Sequence, residues 1–160
     1  MNTTLIRNWN SRVKPEDTIF IIGDFCFRNG PGGKPGEGIQ TKSEYWQNKL
    51  NGNKIFLKGN HDKSNSTKTI IESLNITFSN YRIHMTHKPE HANLDYEINL
   101  VGHVHGAWKI KELKEEKYPH RSTILFNVGV DVNKFMPITL DEAIGQIIRF
   151  KKGINDRNRI

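Results

Sequence analysis

The stretch KIFLKGNHD, residues 54 to 62, carries an apolar, strand-forming segment through a single glycine into Asn60, His61 and Asp62. Three further segments end in the same manner: TIFIIGD at Asp24, YRIHMTH at His87, and EINLVGHVH at His103 and His105. Runs that are apolar and β-branched throughout read as strands covered on both faces. In an open α/β sheet the carboxyl ends of the strands form the rim at which ligands bind. Four endings rich in oxygen and imidazole donors therefore predict a fold in which those ends converge on one place.

The remaining chain supplies the layers around such a sheet. Leu5, Ile6, Trp9 and Val13 recur at helical spacing and predict an amphipathic helix that stops before Pro15. The segment NGPGGKPGEG, residues 29 to 38, reads as a surface loop. It lacks both the Lys-Ser/Thr ending of a phosphate-binding loop and the strand-to-helix setting of a dinucleotide site. Thr41 with Glu44, followed by Gly52 after Leu50, predicts a second helix. A third is expected through Ile70, Ile71 and Leu74. STILFNVG reads as a last strand, and Thr139 with Glu142 forms a second capping box that opens a helix through Ala143, Ile147 and Ile148. Strands alternate with helices early and dominate later, which predicts a layered α/β domain with a mixed central sheet.

A length of 160 residues suits one core, so residues 1–160 are read as a single domain. No apolar run approaches the roughly 20 residues that cross a bilayer, and MNTTLIRNWN has none of the parts of a secretory signal. Cys26 is the sole cysteine, which excludes an internal disulfide and fits a reducing compartment. A cytoplasmic location without a membrane partner is the expectation. The formal net charge of +7 favours anionic partners, either nucleic acid or phosphorylated substrates. Residues 149–160 concentrate this excess and read as a solvated basic tail.

Each ending has an ordinary explanation when taken alone. A histidine after a strand is commonly a hydrogen-bonded structural residue, an aspartate after glycine a turn residue, and Asn-His-Asp a helix cap. Taken together they place five metal-capable side chains, Asp24, Asn60, His87, His103 and His105, at strand exits. With no cysteine in the motifs, the donors are oxygen and imidazole nitrogen. This set suits Mn²⁺, Fe, Zn²⁺, Co²⁺ or Ni²⁺ rather than Ca²⁺ or an iron–sulfur cluster, and one or two such cations, Mn²⁺ first, are the expected cofactor. A carboxylate can bridge two cations, which makes Asp24 the natural bridge. Two cations roughly 3.5–4 Å apart can clamp a phosphoryl group and activate water, so the reaction class is phosphoester hydrolysis.

In that order, GD at 23–24, GNHD at 59–62, TH at 86–87 and GHVH at 102–105 resemble the motifs of the calcineurin-like metallophosphoesterases. The chain as a whole is similar to their small phage and bacterial members through LIRNWN, GDFCF, THKP and NVGVDVN. The resemblance implies a four-layer α/β/β/α sandwich of two mixed β-sheets with helices outside. It also implies that Asp24 bridges two metals, that Asn60, His87 and His103 complete one site, and that His105 serves the other. His61 would protonate the leaving oxygen, with Asp62 orienting its ring. Arg28 and Lys88 flank two of the motifs and are candidate phosphate contacts.

The family's first motif, Asp-x-His, has no counterpart before Asp24. The expectation is therefore a fold with the N-terminal strand missing, one complete metal site and one impaired site. The exposed sheet or helix surface would then be open to a homo-oligomeric partner. The expected activity is that of a metal-dependent phosphodiesterase or phosphomonoesterase acting on a phosphoester, nucleotide or nucleic acid. The reading from a different class is a catalytically impaired metal- or nucleic-acid-binding protein on the same scaffold.

Overall fold

In the computed structural model the described residues are 2–26, 43–62, 67–118 and 120–157, with the side chains of 2 and 154–157 excluded. The glycine-rich segment 29–38, Arg28 and Thr41 lie outside them. Helix α1 (Asn2–Asn10) ends before Pro15, as its periodicity predicts. Its last turn is fastened to the entry of a later strand: the Trp9 indole N–H donates to the Asn51 carbonyl at 2.9 Å, and the Asn10 side chain donates to Lys49 O and accepts from Asn51 N.

Strand β1 (Thr18–Ile22) pairs parallel with β2 (Asn53–Leu57), in register from Thr18 against Asn53 to Ile22 against Leu57. The short helix α2 (Ser43–Gln47) lies in the connection between these two strands, which form the smaller sheet. The larger sheet has the order β3-β4-β5-β7-β6, built from β3 (Ser73–Phe78), β4 (Tyr81–Thr86), β5 (Ile98–Val101), β6 (Ile110–Lys114) and β7 (Ser122–Asn127). Strands β4, β5 and β7 run parallel, and β3 and β6 flank them antiparallel. The larger sheet is thus mixed as expected, whereas the smaller, expected to be mixed as well, is a parallel pair among the described residues.

Strand register sorts the side chains of this sheet by face. Leu74, Met85, Leu100 and Phe126 form one cross-strand row, and Ile76, Ile83, Ile98 and Ile124 another. Both rows share a single apolar core with Ile22 and Leu57 of the smaller sheet and Ala143, Ile144 and Ile147 of helix α3 (Leu140–Arg157). The opposite face carries Asn75, His84, Asn99 and Thr123, and its buried groups are paired. The Asn99 amide donates to Thr123 Oγ1 at 2.8 Å and exchanges bonds with the backbone of Asn93, pinning the 87–97 crossover to the sheet. Buried polar groups are tolerated when bonded in this way.

The helix expected after β2 requires correction. Ile70, Ile71 and Leu74 do not form a helix. Ile70 is 89% exposed, and Leu74 begins a strand in which Leu74, Ile76 and Phe78 alternate with Asn75 and Thr77. The turn Ser79-Asn80 takes positive φ at both positions, 47° and 66°, the geometry that matches the twist of a two-residue hairpin. That hairpin holds β3 against β4. The helix expected through Ala143, Ile147 and Ile148 forms within α3, where Ile144 joins the core and Ile148 is 40% exposed.

The second capping box forms as read: Thr139 N–H donates to Glu142 Oε2 at 3.1 Å and Glu142 N–H to Thr139 Oγ1 at 3.2 Å. Arg12 pairs with Glu142 and ties this helix start to the α1–β1 connection. The basic residues from Arg149 to Arg157 continue α3, so most of the expected tail is helical. No helix of the described residues is long and apolar enough to cross a membrane.

His84 gives the fold a pH dependence. It is buried on the polar face with Nδ1 2.6 Å from Asn75 Oδ1, and burial lowers its pKa below the ordinary 6.5, while a backbone hydrogen bond to His91 pulls the other way. The folded chain thus prefers the neutral ring, and the unfolded chain takes up the proton first. This contribution is fully present above pH 6.5 and is lost as pH falls through the depressed folded value. Urea unfolding measured across this range is expected to show a steeper loss of stability in the wild type than in His84→Gln; equal slopes would contradict the assignment.

Candidate metal centre

Parallel pairing within each sheet sets the strand exits side by side. β1 and β2 end together at Ile22 and Leu57, and β4 and β5 at Thr86 and Val101. The residues that follow meet closely because three of them lack a side chain. A Cβ on Gly23 would overlap the His87 ring, and one on Gly59 would overlap the backbone and carboxylate of Asp24. A Cβ on Gly102 would come within 2.9 Å of Ile22 O. Gly23 also takes φ +77°, which L side chains rarely adopt. Each glycine before a donor is therefore a point of backbone contact between neighbouring loops.

Asp24, Asn60, His87 and His103 come together, two from the ends of the smaller sheet and two from the larger. One ligand atom from each of Asp24, His87 and His103 lies within 4.8 Å of the others. His87 Nδ1 is 2.9 Å from the buried carbonyl of Ile22, a contact in which Nδ1–H donates. Nε2 then turns its lone pair towards Asn60 Oδ1 at 2.9 Å and Asp24 Oδ2 at 3.1 Å. Electron-rich atoms at such separations repel unless a proton or a cation lies between them. A carboxylate, an amide oxygen and imidazoles fit a divalent transition-metal ion, and the Nδ1–carbonyl bond is the support that a ligating histidine commonly has.

Electrostatics and strain act on the same residues. The His103 pKa is lowered first by burial and then by the charges of His87 and Lys88, with Glu90 and Asp24 pulling it up. The neutral imidazole is the form that ligates. Asp24, His103 and His105 all have left-handed φ, at 49°, 66° and 44°. Such residues cost on the order of 1–3 kcal/mol each and cluster where a site demands them.

The other candidates are placed as follows. His61 is exposed, and its backbone N–H donates to Asp24 Oδ1 at 2.9 Å. His105 does not join the cluster; its Nδ1 lies 3.2 Å from Asp131 Oδ2 on the exposed side. Lys88 is close enough for its charge to act on His103, and Arg28 lies outside the described residues. Cys26 is half-buried, and its thiol is pushed up by burial and then by Asp62 and Glu44.

Sequence reasoning missed the hold of Asp62 on the backbone. Its Oδ2 accepts from Gly59 N–H at 2.6 Å and from Asp24 N–H at 3.1 Å, so one carboxylate clamps the turns that follow β1 and β2. The "GNHD" spacing alone gives no sign of a contact across 38 residues. Asp62→Ala leaves two backbone donors without this acceptor, and a loss of about 2 kcal/mol in unfolding free energy is expected. Chemical denaturation checks it, and an unchanged midpoint would remove the clamp from the account.

No family model matches the chain. A solved structure of a protein of unknown function from Aquifex aeolicus, AQ665, aligns with a TM-score of 0.60 at 20% identity, covering 91% of this chain and 84% of that one. This likeness concerns the fold alone. The Zn²⁺ complex of Vps29 from Entamoeba histolytica aligns at a TM-score of 0.45 and 16% identity, covering 81% of this chain and 64% of that one. In sequence, the uncharacterized protein MJ1445 of Methanocaldococcus jannaschii is 31% identical over 161 residues, which span 98% of this chain and 81% of the relative. Agreement on that scale, over almost every residue, shows that the chain belongs to the family of MJ1445.

Proposed function

We propose that the chain is a metal-dependent phosphoesterase whose reaction takes place at the rim formed by Asp24, Asn60, His87 and His103. The observation that carries the reading is the convergence of these donors, with the Asp24, His87 and His103 ligand atoms within 4.8 Å of one another. Their likeness in order and spacing to the calcineurin-like motifs supports it. A divalent cation held there, Mn²⁺ by first choice and Fe, Zn²⁺, Co²⁺ or Ni²⁺ by the same chemistry, supplies Lewis acidity to a phosphoryl oxygen and lowers the pKa of water.

The residues of the chain supply the rest. Asp24 contributes the negative charge of the centre and is fixed through both oxygens, one on the His61 N–H and one facing His87 Nε2. His87 is held in one tautomer by Ile22 O. His61, exposed at the turn after Asn60, is suited to protonate the departing oxygen, a general-acid role open to an imidazole. Lys88 adds positive charge beside His103 for a phosphate oxygen. His105, paired with Asp131, stands apart from the group, so we assign the complete donor set to one cation.

The chain stripped with EDTA and reloaded with Mn²⁺ is expected to hydrolyse bis(p-nitrophenyl) phosphate or p-nitrophenyl phosphate. Asp24→Ala and His87→Ala should abolish turnover together with tight metal binding. His61→Gln should retain the metal and lower kcat by roughly 10²–10⁴-fold. Absence of turnover with Mn²⁺, Zn²⁺, Co²⁺ and Ni²⁺ would reject the enzyme. Tight, salt-sensitive binding to nucleic acid in its place would favour the impaired binding protein.

A further inference from the structure

One buried side chain outside the four donors holds the loop that carries two of the histidines. Strand β7 lies parallel to β5 with Asn127 opposite Val101, so its end borders the turn formed by residues 102–108. Asn127 is fully buried. Its Nδ2 donates to the carbonyl of His105 at 2.7 Å and to that of Trp108 at 2.8 Å, and its Oδ1 accepts from Gly129 N–H at 2.9 Å. Both amide hydrogens and the amide oxygen are thereby used, and only this orientation of the amide suits two carbonyls and one N–H. The backbone N–H of Asn127 separately serves Lys109 O at 2.8 Å. Asn133 Nδ2 secures the arrangement from behind, donating to Asn127 O at 3.1 Å and to Gly129 O at 2.8 Å.

The turn held in this way is the strained one. His103 and His105 take left-handed φ two residues apart, and Val104 N–H closes tightly on Gly102 O at 2.8 Å. Gly102 N–H bonds His87 O at 3.0 Å, which fixes the start of the turn, while Asn127 fixes its middle and end. We propose that Asn127 is a positioning residue of the cation centre: through the carbonyls of His105 and Trp108 it imposes the backbone conformation that turns the His103 ring towards His87 and Asp24. This rests on the metal-centre reading above. An aspartate at the same position keeps the shape and the acceptor for Gly129 but sets carboxylate oxygen against two carbonyl oxygens.

The test compares wild type, Asn127→Asp and His103→Ala as full chains. It measures Co²⁺ affinity by its visible absorption, the nuclear Overhauser contact between the His87 and His103 rings in the metal-free protein, whose centroids are 5.0 Å apart, and cooperative unfolding. Asn127→Asp is expected to unfold cooperatively, to lose the ring contact, and to bind Co²⁺ about 10-fold or more weakly with an altered spectrum. A folded Asn127→Asp that keeps the ring contact, or wild-type affinity and spectrum, overturns the proposal. If Asn127→Asp does not fold, Asn127→Ser, which offers one donor in place of two, is judged by the same criteria. If neither folds, Asn127 is a determinant of the fold and the positioning role is rejected. A wild type that binds no Co²⁺, or a His103→Ala that binds it as well as wild type, sinks the metal-centre reading. The ring contact alone then decides the brace.

Discussion

The rim exists because backbone passes against backbone where the strands of the two sheets end. Three of the four donor loops, those of Asp24, Asn60 and His103, begin with a residue whose missing Cβ leaves room for the next loop. Gly23 admits the His87 ring, Gly59 admits Asp24, and Gly102 admits the Ile22 carbonyl. A methyl group at Gly23 or Gly59 would overlap its neighbour, and interiors packed at crystal density transmit such a clash instead of absorbing it. The glycines are therefore as much a part of the centre as the side chains that follow them.

Close approach brings a second constraint, since the parts that meet carry like partial charge. Asp24, Asn60 and the outward nitrogen of His87 face one another, and the backbone at Asp24 and His103 adopts left-handed φ so that they do so. The surroundings provide compensation through backbone hydrogen bonds. Asp62 gathers the N–H groups of Gly59 and Asp24, and the carbonyl of Ile22 receives His87 Nδ1–H. Polar groups in a low-dielectric site are tolerable only when nearly all are paired.

The strand endings that meet at Asp24, Asn60, His87 and His103 were legible in the sequence because they are local: an apolar run closing on a polar residue, with a glycine between them in three of the four, can be read within seven positions. The capping box at Thr139 and Glu142 was legible for the same reason. β3 was not, because Ile70, Ile71 and Leu74 match a helical spacing as well as the first turn of one, and only pairing with β4 selects the alternation of Leu74, Ile76 and Phe78. β6 went unread because three of the five residues of IKELK, at a sheet edge, are lysine or glutamate, which leaves little apolar signal. The clamp of Asp62 on Asp24 and the pairing of His105 with Asp131 link residues 38 and 26 positions apart, a separation at which one sequence carries no pattern.

The even division of the donors has a mechanical consequence. Asp24 and Asn60 hang from the smaller sheet, His87 and His103 from the larger, and two strands alone make a marginal layer. On the proposed reading, an ion held by the four would join both layers, and an ion that binds the folded form alone adds to stability as its free concentration rises over its dissociation constant. Loading and the mutual alignment of the layers would then be one variable: whatever slid one sheet against the other would loosen the ion, and whatever drew the ion away would leave the thinner layer to its own two strands.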